Sequence, residues 1–111
     1  MTIEFHTPYE KVPEKLISSI RDEIMELSHL SQHISRAEIL LREDKTIIKE
    51  ENKICEISLT IVFGDDLFVH TEAENFKKSA KEAIRDLKRL INQQVKNNKE
   101  LPDQKTVTVN V

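Results

Sequence analysis

Alternating apolar and polar residues predict four β-strands in the first two-thirds of the chain. Such alternation is typical of half-buried strands, because successive side chains point to opposite faces of a sheet. The turn residues Gly64-Asp65-Asp66 separate the last two strands, and the polar stretch Asp44–Asn52 predicts a hairpin loop before the third. The positions expected to face inward are Ile3 and Phe5; Ala37, Ile39 and Leu41; Cys55, Ile57, Leu59, Ile61 and Phe63; and Leu67, Val69, Thr71 and Ala73.

Apolar residues at helical spacing predict two α-helices. The first covers about residues 13–29 and has Pro13 in its first turn, where a proline is tolerated. The second covers about residues 75–98, with Asn75 as its N-cap and Pro102 closing it. The apolar stripes are Val12, Leu16, Ile20, Ile24 and Leu27 in the first helix, and Phe76, Ala80, Ala83, Ile84, Leu87, Ile91 and Val95 in the second.

The resulting element order, β-α-β-β-β-α, predicts an α+β fold. The strand–helix–strand start implies a right-handed crossover with strands one and two parallel, and the two hairpins make the remaining pairs antiparallel. Both helices then cover one face of a four-stranded mixed sheet and leave the other face open. We expect a single domain over residues 1–101. Residues 102–111 form a C-terminal tail that is either disordered or, from the alternation at 107–111, an added edge strand.

The charge is unevenly distributed along the 111-residue chain, whose formal net charge is −3. Residues 1–74 hold 8 basic and 16 acidic side chains, whereas residues 75–99 hold 8 basic and 2 acidic ones. Screening limits the reach of a charge to about 8–10 Å in physiological salt. The local excess of positive charge therefore says more about a binding partner than the net charge does.

Basic residues form a stripe along the second helix, where Lys77, Lys81, Arg85 and Arg89 are spaced by four. Solvated helices usually mix charge signs, and like charges at this spacing cost a few tenths of a kcal/mol per pair. The stripe therefore favours a polyanion-binding face, and an ordinary solvated face is the alternative. The candidate RNA-binding residues are Lys77, Lys78, Lys81, Arg85, Lys88, Arg89, Lys96 and Lys99, with Arg36 and Arg42 on the open face of strand two.

No other group of residues predicts a catalytic or metal site. His29 and His33 have zinc-like spacing but lack a third ligand at a recognisable position. The single cysteine, Cys55, falls at an inward strand position, where it acts as a small hydrophobic residue. We therefore expect no enzymatic activity, no metal and no cofactor. A lone cysteine and a start unlike a signal peptide predict a cytoplasmic protein. The sequence has no long apolar run, so we expect no membrane partner.

Two segments resemble the ribosome hibernation-promoting factor / ribosome-associated inhibitor A family. AEILLRED is similar to that family's second strand, and ICEISLTIVFGDDLFVHTEAENFKKSAKEAIRDLKRLI to its region from the third strand to the last helix. The resemblance covers about residues 2–99, and the chain length is similar to that of the short members. Leu87 and Arg89 match the leucine and arginine of the last helix. The chain departs from the pattern at Lys77, where an aromatic is usual, and at 92–94, where Asn-Gln-Gln replaces a basic cluster.

The resemblance implies a double-stranded-RNA-binding-like domain that binds the small ribosomal subunit. Such a domain occupies the channel of mRNA and tRNAs and inhibits translation under stress, contacting rRNA without DNA specificity. The alternative function is a protein-interaction module that has lost ribosome binding. Its basis is the acidic bulk of the domain and a strand at residues 106–111, which could add to a partner's sheet edge or form a weak homo-oligomer.

Overall fold

The six predicted elements are present in the predicted order. The computed structural model describes residues 1–7, 12–30, 33–46 and 50–109, and for Leu30 and residues 95–109 it describes the backbone alone. The elements are β1 (Thr2–His6), α1 (Glu14–Leu30), β2 (Ile34–Glu43), β3 (Lys53–Ile61), β4 (Leu67–Ala73) and α2 (Phe76–Val109).

The strands form one mixed sheet in the order β1-β2-β3-β4. β1 runs parallel to β2, and the β2–β3 and β3–β4 pairs are antiparallel. Phe5 lies beside Ile39, Ile39 opposite Ile57, and Ile57 opposite Val69, so inward-facing residues form a row across all four strands. The predicted topology and the predicted α+β class are confirmed.

Both helices pack on the same face of the sheet and share one hydrophobic core. Leu27 of α1 and Leu87 of α2 join Ile39 and Ile57 of the sheet in a single cluster, and all four side chains are fully buried. The amphipathic pattern of each helix explains this arrangement, because the apolar stripe has to be removed from water. The opposite face of the sheet carries the alternate strand positions, which are half-buried or exposed in the middle of β2 and β3 apart from the buried Ile54, and we call it the open face.

The end of β3 differs from the prediction. We expected Phe63 at an inward strand position, but β3 ends at Ile61 and the Phe63 side chain is 81% exposed. The Asp66 carboxylate accepts the Ile61 N–H at 3.0 Å. This side chain takes the place of a strand partner for the Ile61 N–H, so strand pairing stops there and the chain turns. The alternation of apolar and polar residues in the sequence nevertheless continues beyond Ile61.

The C-terminal end of α2 also differs from the prediction. We expected the helix to end near residue 98 and Pro102 to begin a disordered or extended tail, but the helix continues to Val109. A proline removes one N–H donor and crowds the carbonyl four residues earlier, which disturbs a helix locally without having to end it. The alternating valines indicate a strand only where a sheet edge can pair with them, and no described strand pairs with residues 106–109.

We expect Leu87→Ala to lower the free energy of unfolding by about 2–5 kcal/mol, because the substitution leaves a cavity in the centre of the core. Met25→Ala is the matched control, since Met25 lies on α1 with its side chain 52% exposed. This control should change the free energy by less than about 0.5 kcal/mol. Urea unfolding followed by circular dichroism measures both values, and equal effects would contradict the assignment of Leu87 to the core.

Candidate nucleic-acid interface

The first turn of α2 is anchored to β4. Asn75 is the N-cap, as predicted, because its Oδ1 accepts the Lys78 N–H at 2.8 Å. The buried Thr71 hydroxyl donates to the backbone oxygen of Ser79 at 2.6 Å, and Ser79 is itself fully buried. These hydrogen bonds fix the orientation of the first helical turn about the helix axis.

The basic and apolar residues of α2 lie on opposite sides of the helix. At about 100° per residue, the basic residues from 77 to 89 fall within an arc of roughly 120°. The apolar residues from 76 to 91 occupy the arc that faces the sheet, and Glu82 and Asp86 lie between the two. The basic side comprises Lys77, Lys78, Lys81, Arg85, Lys88 and Arg89, and we call it the basic stripe.

Three residues of the basic stripe have no acidic partner within the described part of the chain. Lys77, Lys81 and Arg85 are exposed, follow one another at four-residue intervals, and make no ion pair with any residue that the structure describes. The first turn of α2 contains no acidic side chain, so the positive end of the helix dipole adds to the field of Lys77. This part of the surface is an uncompensated positive site.

The remaining candidates on α2 differ in how they are held. Lys78 and Arg89 make exposed contacts within their own segment, at 3.3 Å to Glu74 and 3.9 Å to Asp86. Exposed pairs of this kind are weak and can exchange for a phosphate. Lys88 reaches across to α1, where its Nζ lies 3.2 Å from Glu23 Oε2. Lys96 and Lys99 belong to α2, but the structure describes only their backbone.

Arg36 and Arg42 lie on the open face of the sheet, on the side of the sheet away from α2. Arg36 Nη2 is 2.6 Å from Glu4 Oε2 and 2.8 Å from Glu38 Oε1. Arg42 Nε donates to Glu56 Oε1 at 3.2 Å. The structure therefore does not bring these two arginines together with the basic stripe, and both already contact carboxylates.

The open face carries more acidic than basic side chains. His70 lies between two glutamates, at 3.6 Å from Glu56 and 3.2 Å from Glu72. With the histidines neutral, four carboxylates face two guanidinium groups there. The open face is thus net negative, whereas the basic stripe of α2 is net positive. The ionisable residues of this open face are Glu4, His6, Arg36, Glu38, Arg42, Glu56, His70 and Glu72.

Among the described residues the single cysteine is buried, and no metal-binding group is present. Cys55 is fully buried, and its burial, with a smaller effect of the Glu56 charge, raises the pKa of the thiol from an ordinary 9.0 to about 12. A thiol of this kind is protonated and unreactive at neutral pH. Within the described ranges no three His, Cys, Asp or Glu side chains form a group that could hold a metal. None of the described helices is long and apolar enough to span a membrane.

The sequence pattern predicted an inward strand position for Phe63, whereas the structure exposes its side chain. Its ring makes an edge-on contact with His33, with ring centroids 5.7 Å apart and planes at 86°. His33 follows α1 and Phe63 follows β3, so these two rings meet only through the fold. The Gly-Asp-Asp sequence after Phe63 was the one local signal that the strand was about to end.

Comparison with known proteins identifies the fold. No protein-family model matches the chain, and no curated protein matches its sequence. A ribosomal subunit interface protein from Coxiella burnetii is similar in structure, with a TM-score of 0.69 and 15% identity over 85% of this chain and 97% of that one. The N-terminal domain of Thermus thermophilus Protein Y has a TM-score of 0.63 and 12% identity over 83% of this chain and 93% of that one. The four-stranded α+β architecture is therefore shared with both proteins.

We expect Cys55 to react slowly with a thiol-labelling disulfide reagent at pH 8 and rapidly in concentrated urea, because only unfolding exposes and ionises the thiol. The folded thiol keeps its proton up to a pKa of about 12. Above about pH 9 the thiol ionises in the unfolded chain but stays protonated in the folded one, so the free energy of unfolding decreases as the pH rises. Equal labelling rates with and without urea would contradict this environment.

Proposed function

We propose that this chain binds the small ribosomal subunit through the basic stripe of α2 and inhibits translation by occupying the decoding channel. The observation that carries the proposal is the stripe itself. Six basic side chains share one arc of a single helix, and three of them have no described acidic partner, in a chain whose formal net charge is negative. Such a concentration of charge fits a dense array of phosphates.

Structured RNA is the polyanion that fits this surface best. Lysine and arginine contacts to phosphates give affinity without base specificity, and RNA duplexes are recognised mainly through shape and backbone. The fold supports the same partner, because one of its structural neighbours is named as a ribosomal subunit interface protein. The proposed function therefore does not require the chain to recognise an RNA base sequence.

The proposed mechanism is steric and needs no catalytic group. The positive stripe faces the rRNA, and the acidic open face of the sheet, which repels phosphates, faces away from it. One orientation of the domain is favoured as a result. A domain held in the channel in this orientation excludes mRNA and tRNA by occupying their space.

We expect binding to isolated small subunits to weaken steeply with salt. With six phosphate contacts, the slope of log affinity against log salt should be about −4 to −5, at roughly 0.7–0.9 per contact. Lys81→Gln combined with Arg85→Gln should weaken binding and reduce the magnitude of the slope by about 1.5. Co-sedimentation over a salt series measures both quantities.

The matched control is Arg36→Gln combined with Arg42→Gln, which removes the same charge from the open face. This variant should retain the wild-type slope, because both arginines lie away from the basic stripe in contact with carboxylates. Equal losses from the two double variants would contradict the helix as the binding face. Binding without inhibition of a reconstituted translation reaction would contradict the steric mechanism.

A further inference from the structure

The open face of the sheet is a surface on which neither helix packs, since α1 and α2 both lie on the other side. Phe68 belongs to this face, because it alternates with the inward-facing Leu67 and Val69 and lies opposite Ser58. Its side chain is 56% exposed. An exposed aromatic ring on a face that otherwise carries ionisable side chains has the composition of a protein contact surface.

Carboxylates exceed cations at two places on the open face. Arg36 contacts both Glu4 and Glu38, at 2.6 and 2.8 Å, so one guanidinium group balances two carboxylates. Glu72 has His70, at 3.2 Å, as its ion-pair partner in the described part of the chain, and that pair is charged on both sides only if the histidine is protonated. Unbalanced negative charge therefore lies around Glu38 and at Glu72.

The unpaired cations of the basic stripe have a spacing similar to that of these two acidic places. Glu38 lies opposite Ser58 on β3, and Ser58 lies opposite Phe68, four residues before Glu72. Two strand spacings and four residues of β4 separate Glu38 from Glu72 by about 16 Å.

Lys77 and Arg85 are about 12 Å apart along the axis of α2. Their long side chains span the remaining difference. The chain thus carries both a positive and a negative surface, of similar length, on different elements.

We propose that copies of this chain associate head to tail, with the basic stripe of one copy lying along the open face of the next. Lysine stems of the stripe then cover the exposed Phe68 ring, and their ammonium groups lie near its face and the flanking carboxylates. The contact joins two different surfaces, so each copy keeps one of them free. Such a contact continues as an open chain of copies unless its rotation closes a ring.

A second copy is the occupant that charge complementarity supports, because the surface of opposite sign and similar length is part of the same protein. The association also relieves the repulsion between like charges along α2 when no RNA is bound. It covers the basic stripe, so self-association and RNA binding exclude each other. This competition rests on the proposed function, whereas the self-association does not.

The first test is sedimentation velocity of the wild-type chain over a concentration series at low salt. The average mass should rise with concentration beyond that of a dimer. It should return to the monomer value at about 1 M salt, where screening shortens the reach of a charge to about 3 Å. A chain that is monomeric at low salt overturns the inference, and so does an assembly that persists unchanged at high salt.

Two double variants with the same net charge should have opposite effects. Lys81→Gln with Arg85→Gln removes charge from the stripe and should weaken association about tenfold or more. Arg36→Gln with Arg42→Gln, the matched control, should strengthen it, because the glutamates that these arginines contact become available. Equal effects would show a general response to net charge and overturn the inference.

A mixing experiment tests the head-to-tail geometry. Glu38→Gln with Glu72→Gln neutralises the open face and leaves the stripe intact, whereas Lys81→Gln with Arg85→Gln does the reverse. Each variant alone should associate weakly. An equimolar mixture should form a dimer of one copy of each and stop there, because the two surfaces left over are the neutralised ones. A mixture that stays monomeric overturns the inference.

Addition of isolated small subunits tests the competition. The subunits should take up single copies and dissolve the assembly of the wild-type chain. Subunits that carry whole assemblies would show that the two contacts use different surfaces, which overturns the inference. If the subunits bind no copies while the assembly behaves as expected in the mixing experiment, the proposed function is wrong and the self-association stands.

Discussion

Burial of the apolar side of α2 against β3 and β4 is the contact on which the other features depend. Leu87 and Ile91 are fully buried in the core, and the basic stripe lies on the remaining side of the same helix. A helix rotated by one residue, about 100°, would place charged side chains against the sheet, at a high desolvation cost. The packing that stabilises the domain therefore also sets the direction in which the positive charge points.

The open face of the sheet has the opposite charge character and a different organisation. Its two arginines contact glutamates on the same or a neighbouring strand, so the positive charge of this face is compensated within the protein and an excess of carboxylates remains. On α2, by contrast, Lys77, Lys81 and Arg85 have no described acidic partner. A domain with charge separated in this way experiences a torque in the field of a polyanion, which favours rapid approach in one orientation.

The basic stripe is slightly unfavourable for the isolated domain. Like charges at four-residue spacing repel, and lysines in the first turn oppose the helix dipole, each by a few tenths of a kcal/mol. The buried side of the helix and the Asn75 cap offset these costs. Local conflicts of this kind are characteristic of functional surfaces, because a bound polyanion relieves the repulsion.

The sequence by itself determined the element order, the two faces of the sheet and the basic stripe, because the periods of strands and helices fix side-chain direction locally. Only the tertiary structure decided which elements became neighbours. It separated Arg36 and Arg42 from the stripe, joined Lys88 to α1, and left Phe63 exposed beside a turn. It also continued α2 through Pro102. These outcomes depend on partners distant in the chain or on competition between local interactions, and neither leaves a periodic signal in the sequence.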